Sequence, residues 1–346
     1  METSITTDAP QIQGKGTIPA QRKRWEERMA PARERVQIGA SVRAALADRQ
    51  PVVALESSVF VQGLPSPHRE EAAREVLAAI RAAGATPAIT AVLSGVPWVG
   101  LEDDQLQQLQ RAAGVRKAAW RDLAALIVSG QTAATTVSAT LALAWAVGLN
   151  VLATGGIGGV HRRSEPTSNP LDISADLFAL TRFPMIVVCS GAKNLLDLPS
   201  TWELLESLSI PVVGWQTDRF PAFYVTDAGL PVSCRVDTLA EVSALWTAHR
   251  HFGECGLLLV QPCPEEAAIP APECERWLEQ AEREAHQSGQ QGAARTPFVL
   301  RRLAELSGGR TLLANRALLL ANARLAAQLA GEIMVPRSAA PTESPP

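Results

Sequence analysis

Blocks of apolar and polar residues follow one another along this chain, and their period changes from block to block. Pro51 to Leu55 is a continuous apolar run of strand length, and Pro67 to Ala83 then carries its apolar residues at helical spacing. The succession continues. Ala88 to Leu93 reads as a strand, Glu102 to Ala113 as a helix, Leu123 to Val128 as a short apolar element and Thr136 to Val147 as an apolar helix. Val151 to Thr154, Met185 to Cys189, Val212 to Trp215 and Gly256 to Val260 read as further strands. Among them stand helices at Ala175 to Thr181, Leu195 to Ser207 (opened by Asn194), Leu239 to His251, Glu273 to His286 and Thr296 to Leu306. This alternation predicts an α/β protein, a three-layer α/β/α arrangement with a mixed, largely parallel central sheet. No internal repeat or linker interrupts it. One domain is expected over residues 41–334, preceded by a polar, flexible extension over 1–40 and followed by a proline-bearing, disordered tail over 335–346.

Composition narrows the function. Apolar residues make up 47% of the 346 and charged residues 19%, enough to bury a core. A net charge of -3 offers no basic field for a polyanion, which argues against a nucleic-acid partner. Five cysteines without CxxC spacing suggest neither a disulfide framework nor a structural zinc site, so a reducing compartment is expected. No apolar run reaches the roughly 18 residues of a membrane span, and the N-terminus shows no apolar leader. A cytoplasmic protein without membrane contact follows as the expectation. The lysines are more informative: Lys15, Lys23, Lys117 and Lys193 stand against 28 arginines. Where only positive charge is needed this chain uses Arg, so Lys117 and Lys193, the two in the expected domain, either mark places where a primary amine matters or survive there by chance. A desolvated lysine can supply a neutral nucleophilic nitrogen, which a guanidinium cannot.

Several polar residues directly follow expected strands, where α/β sheets gather their sites. Glu56 ends the run Val52-Val53-Ala54-Leu55 and precedes Ser57 and Ser58; it is either a general acid or base or a cap for the next element. Thr154 to Arg162 has four glycines in five residues and suits close backbone approach, but is neither GxGxxG nor a Walker loop. Ala134-Thr135-Thr136-Val137 opens a helix, as a phosphate site or as plain capping. Asp172 and Asp176 lie one turn apart at an expected helix start, as oxygen ligands for Mg²⁺ or Mn²⁺ or as caps. Lys193, in Cys189-Ser190-Gly191-Ala192-Lys193 after an apolar strand, is a Schiff-base candidate.

From Pro51 to Ala330 the chain resembles the pseudouridine-5'-phosphate glycosidase family of the indigoidine synthase A-like group. The resemblance is carried by ALESS at 54–58, ATTVSAT at 134–140, ATGGIGGVHR at 153–162, LDISADL at 171–177, CSGAK at 189–193 and TDRFPAFY at 217–224. RVDT at 235–238, TPF at 296–298 and LLANRAL at 312–318 continue it in order. The resemblance implies reversible cleavage of the C–C glycosidic bond of pseudouridine 5'-phosphate to uracil and ribose 5-phosphate, a Mn²⁺-assisted site and a homotrimer. By position, Lys193 matches the family's nucleophile, Glu56 its proton donor and Asp172 its metal ligand. Ser174, Ala175, Asp176, Lys117, Val137 and Asn315 match its substrate contacts.

This sequence departs from the family in places. Gln62 stands where a His is usual, Arg69 where an Asn is usual, and Ala119 and Trp120 where a Ser and an Arg are usual. Arg219 replaces an acidic residue, and Pro166 to Pro170 lengthens the loop before Asp172. Two alternatives therefore stay open: a related Schiff-base enzyme acting on another sugar phosphate, and a non-catalytic protein that keeps the fold.

Overall fold

The structure, a computed structural model, describes residues 35–162, 172–290 and 295–334. The expected extension, apart from its last residues, the tail and the Pro166–Pro170 stretch lie outside these. The chain opens with β1 (Gln37–Ile38), α1 (Ala40–Ala47), β2 (Val52–Glu56), a π-helical turn (Val59–Gly63), α2 (His68–Ala82) and β3 (Thr86–Leu93). It continues through β4 (Val96–Val99), α3 (Asp103–Arg111), β5 (Arg116–Ala118), a 3₁₀ turn (Trp120–Asp122), α4 (Leu123–Val128), β6 (Ala133–Thr135) and α5 (Val137–Ala146). Next come β7 (Val151–Ala153), α6 (Ala175–Leu180), β8 (Ile186–Cys189), α7 (Leu198–Ser207), β9 (Val212–Trp215), β10 (Cys234–Val236) and α8 (Leu239–Phe252). Last are β11 (Leu257–Val260), α9 (Ala271–Gln287), α10 (Arg295–Leu306) and α11 (Arg310–Met334).

The strands form one mixed, mostly parallel sheet of order β1-β4-β3-β2-β7-β8-β11-β9-β10. Only the pairings of β3 with β4 and with β6 are antiparallel. Every residue of β2, β7, β8 and β11 is buried, which explains why these strands read as unbroken apolar runs. Helices cover them. α11 packs on β2, β7, β8, α2 and α8, while α5 packs on β2, β3, β4 and α6. Each fully buried side chain here, such as Leu152, Val187 or Leu258, contributes about 1.5–3 kcal/mol by leaving water. All five cysteines are unpaired, and no helix among the described residues is long and apolar enough to cross a membrane.

One arrangement matters for the site. β3 is flanked by β2 as far as Thr90, after which β6 takes over at Ala91 and Val92, and β5 lies beside β6. The end of β2 and the strand bearing Lys117 are thereby brought to one place.

Two expectations are corrected. The helix expected from Leu195 begins at Leu198, because Leu196 N–H bonds back to the Lys193 carbonyl at 3.0 Å in a turn. Asp197 then caps the helix through Ser200 N–H at 3.0 Å, and Pro199 sits in the first turn, where a missing N–H costs nothing. Asp172 is not on a helix beside Asp176. It precedes α6, next to Ile173, which bridges to Val160.

Candidate active site

Glu56, the last residue of β2, is 4% exposed and hydrogen-bonded on both oxygens. Ser58 Oγ donates to Oε2 at 2.6 Å, and Thr154 Oγ1, just beyond β7, donates to Oε1. Behind it lies a buried knot of hydroxyls. Thr90 Oγ1 is 2.8 Å from both Thr135 Oγ1 and Thr140 Oγ1, and Thr135 N–H donates to Ser57 Oγ at 2.9 Å. Buried hydroxyls are costly unless bonded, so this knot locks the ends of β2, β3 and β6 together.

The loops after β7 and β8 zip along one another. Ser190 N–H donates to the Gly155 carbonyl (2.9 Å), Ile157 N–H to Gly191 (3.0 Å) and Lys193 N–H to Ile157 (3.2 Å). Two glycines are required here. A Cβ on Gly191, whose φ is +71°, would lie 1.9 Å from the Pro221 carbonyl oxygen, and one on Gly158 would lie 2.3 Å from Ser174 Oγ. The zip leaves Lys193 half-buried with its side chain on the cavity beside Glu56.

Lys117 enters from β5. Solvent reaches its side chain through the cavity, yet the surrounding protein desolvates the ammonium and holds its pKa below the usual lysine value. The Lys193 charge lowers it further, while Glu56 and Asp176 oppose the shift.

Glu56, Lys117 and Lys193 stand between two adjoining chambers and border both. The larger, about 430 Å³, runs under the π-helical turn to Gln62 and Arg69, past Phe223 and Leu300, and to Asn315 on α11. Asn315 is 5% exposed and its Oδ1 has no hydrogen-bond partner among the described residues, an acceptor open to a ligand. The smaller, about 180 Å³, is lined by Thr136, Ser138, His161, Ser174, Ala175 and Asp176 among others. Hydroxyls and two cationic side chains there suit an anionic or polyhydroxyl group.

The structure thus brings Glu56, Lys117, Lys193, Ser174, Ala175, Asp176 and Asn315 onto one cavity system. Val137 is buried just behind it, between Thr136 and Ser138. Both oxygens of Asp176 are taken by backbone amides, Ser138 N–H and Gly158 N–H at 2.9 Å each, so it ties α5 to the glycine loop. Asp172 is exposed and lines neither chamber; its carbonyl accepts His161 N–H at 2.9 Å. Residues not singled out from sequence also appear: Ser58 and Thr154 on the Glu56 carboxylate, Phe223 on the wall, and Ser138 in the smaller chamber. All four lie within motifs read from the sequence, ALESS, ATGGIGGVHR, TDRFPAFY and ATTVSAT, which marked their segments without giving these residues a role.

Arg69 and Gln62 shape the roof. Arg69 Nη1 donates to the Val61 carbonyl at 2.9 Å and Nη2 to Gln110 at 3.1 Å, while Gln62 Nε2 donates to Val115 at 2.7 Å. Each pins a carbonyl in or beside the π-helical turn.

Known proteins share this architecture. A pseudouridine-5'-phosphate glycosidase of Gemmatimonas aurantiaca is 48% identical over 280 residues, 81% of this chain and 90% of that protein. One of Thermus thermophilus is 47% identical over 282 residues, 82% of this chain and 97% of its own. Among solved structures, an indigoidine synthase A-like protein of Thermotoga maritima superposes with a TM-score of 0.78 at 35% identity, covering 86% of this chain and 96% of its own. The prealnumycin C-glycosynthase AlnA, solved with ribulose 5-phosphate, gives 0.79 at 37% identity, with 86% and 97% covered. The profile of the indigoidine synthase A-like proteins spans residues 41–332, from α1 to the last turn of α11, and the chain belongs to that family.

Proposed function

We propose that this protein reversibly cleaves the C–C glycosidic bond of pseudouridine 5'-phosphate, giving uracil and ribose 5-phosphate through an imine on Lys193. The observation that carries this reading is that Glu56, Lys117 and Lys193 border both chambers at once. The names of the relatives and the sugar phosphate held by AlnA support it.

A C–C glycosidic bond has no leaving heteroatom to protonate, so cleavage needs an electron sink at C1'. The Lys193 amine bonds C1' as the bond from C1' to the ring oxygen breaks, and the ring oxygen takes a proton. Protonation of the uracil carbon then lets the C–C bond break toward the base, while the nitrogen lone pair forms the iminium. Water adds to the iminium and releases ribose 5-phosphate. Glu56, in reach of Ser58 and Thr154, moves the protons. Lys117 and Asn315 hold polar groups of the substrate.

The proposal includes a divalent ion, Mn²⁺, at Asp172. Among the described residues no three His, Cys, Asp or Glu side chains converge on a metal position. Asp172 is the one carboxylate offered to the ion, so water would have to complete its shell, an arrangement hard cations accept. Bound there, the ion would supply positive charge at the exposed Asp172 carboxylate, outside both chambers. We also propose that the protein works as a cytoplasmic homotrimer. Exposed Trp120 and Phe178, on adjoining elements, support an interface of this kind.

The test is incubation with pseudouridine 5'-phosphate while uracil is followed, together with borohydride reduction in the presence of ribose 5-phosphate. Uracil release and one covalently added sugar phosphate are expected. Neither appearing would overturn the reading. A second reading, action on a related C-glycoside phosphate, is favoured by Gln62 and Arg69 on the larger chamber; sugar-phosphate trapping without uracil release would select it.

A further inference from the structure

We propose that Asn322, a residue of α11 that touches neither chamber, is a positioning residue holding Glu56 and Lys193 in register. This rests on the roles of those two residues proposed above. Asn322 is 0% exposed and sits two helical turns beyond Asn315, among Leu318, Leu319, Ala323, Leu325 and Ala326. An amide in such apolar surroundings is costly unless its hydrogen-bonding capacity is used, and here it is. Nδ2 donates to the Thr154 carbonyl at 2.8 Å and also approaches Ser190 Oγ at 3.2 Å and the Gly155 carbonyl at 3.4 Å. Oδ1 accepts from Gln261 Nε2 at 2.8 Å and from Ser190 Oγ at 3.4 Å.

These partners, all uncharged, follow the ends of β7, β8 and β11, which are adjacent in the sheet. One amide therefore ties three strand ends. Thr154 uses its own hydroxyl on the Glu56 carboxylate, so its backbone position sets where that carboxylate stands. Ser190 opens the segment that ends at Lys193, and its carbonyl accepts Phe223 N–H at 2.9 Å, the residue whose ring backs Gly155 and Gly156. A leucine would fill the same space with no polar cost, but it could not hold the Thr154 carbonyl. The Thr154 carbonyl fixes which way the amide faces, because the opposite orientation would set Oδ1 against it, and Gln261 supplies the matching donor to Oδ1.

Asn322→Asp, Asn322→Leu and Gln261→Met in the full-length protein test this. Misplacement on the scale of 1 Å costs about 10²-fold in rate. Both Asn322 variants should lose about that factor in kcat for uracil release, with KM within a few-fold. Relative to wild type at each pH, Asn322→Asp should recover as pH falls, since a protonated carboxyl again donates to Thr154; Asn322→Leu should not. Amide hydrogen exchange over residues 154–159 and 189–193 should rise in both. Gln261→Met should shift kcat and exchange in the same direction by less. Folded variants with wild-type kcat and unchanged exchange would overturn the proposal. Should both Asn322 variants fail to fold, Gln261→Met, at a half-buried position, decides it alone by the same two readouts. If the wild type itself releases no uracil, the assigned activity fails instead, and the exchange measurement decides whether the clamp exists.

Discussion

Lys117 and Lys193 face the same space from opposite halves of the sheet, and the charge on Lys193 adds to desolvation in disfavouring the ammonium of Lys117. They are the two lysines among the described residues, and Glu56 borders the chambers with them. A surface with abundant arginine thus reserves its amines for one cavity.

Lys193→Arg should abolish borohydride trapping of ribose 5-phosphate, since a guanidinium forms no imine. Intact-mass measurement reads the result directly. Persistent labelling at wild-type stoichiometry would move the nucleophile elsewhere, Lys117 being the first place to look.

Glu56→Gln keeps the shape and can still hydrogen-bond, but cannot transfer a proton. Uracil release should fall by about 10² to 10⁴ while the imine still traps. Thr154→Val, which removes the donor to Oε1, should fall in the same direction by less. Near-normal turnover in Glu56→Gln would reduce that residue to a cap.

Lys117 loses its proton at a lower pH than a free lysine, because its charged form is disfavoured by burial and by Lys193. Substrate affinity that depends on this charge should therefore weaken as pH rises toward that lowered value. Lys117→Arg should hold KM flat through the alkaline range, and Lys117→Met should raise KM at every pH. The stability linkage has the opposite sense: a lysine depressed in the folded state favours folding more as pH rises through its folded pKa toward 10.5. Near pH 7, Lys117→Met should melt no lower than wild type. A clear fall in melting temperature would contradict this.

Arg69→Ala removes two bonds that pin the π-helical turn and Gln110. A charged hydrogen bond contributes about 1.5–3 kcal/mol net, less where water competes, so a loss of about 1–3 kcal/mol is expected in denaturant unfolding. KM should rise more than kcat falls, because the turn roofs the larger chamber.

Exhaustive chelation should remove activity, and Mn²⁺ should restore it. Asp172→Asn should need a higher Mn²⁺ concentration for half-maximal activity. Full activity after chelation would leave Asp172 without a part in the reaction.

The central strands were legible because strands covered on both faces must be apolar throughout, as in Val52–Leu55 and Leu257–Val260. β5, β6 and β10 were not. Each has three residues, and Arg116-Lys117-Ala118 shows no strand period at all; it is held by pairing with β6. Lys193 stood out through scarcity, a compositional signal. Thr154 showed only as the head of the glycine loop and Asn322 not at all, since a lone hydroxyl or amide resembles a cap until its partner is known. Thr154 meets Glu56 across 98 residues of chain, and Asn322 meets Ser190 across 132. Asp172 and Asp176 illustrate the converse. Their spacing suggested a shared metal or a pair of caps; Asp176 does stand in the first turn of α6, spent on two amides, while Asp172 lies ahead of the helix.

Arg316 on α11 pairs with Glu71 and Glu75 on α2, the helix that follows the Glu56 loop and carries Arg69. The wall of the cavity is therefore written at both ends of the described chain, with Glu56 and Arg69 early and Asn315 late. During translation the early half emerges first and must wait. Glu56, Lys117 and Lys193 are all synthesised before the helix that supplies Asn315 and pins Thr154. On the proposed roles, a ribosome-bound chain short of α11 would hold Lys193 without Asn315 on the cavity wall and without the Asn322 amide on the Thr154 carbonyl.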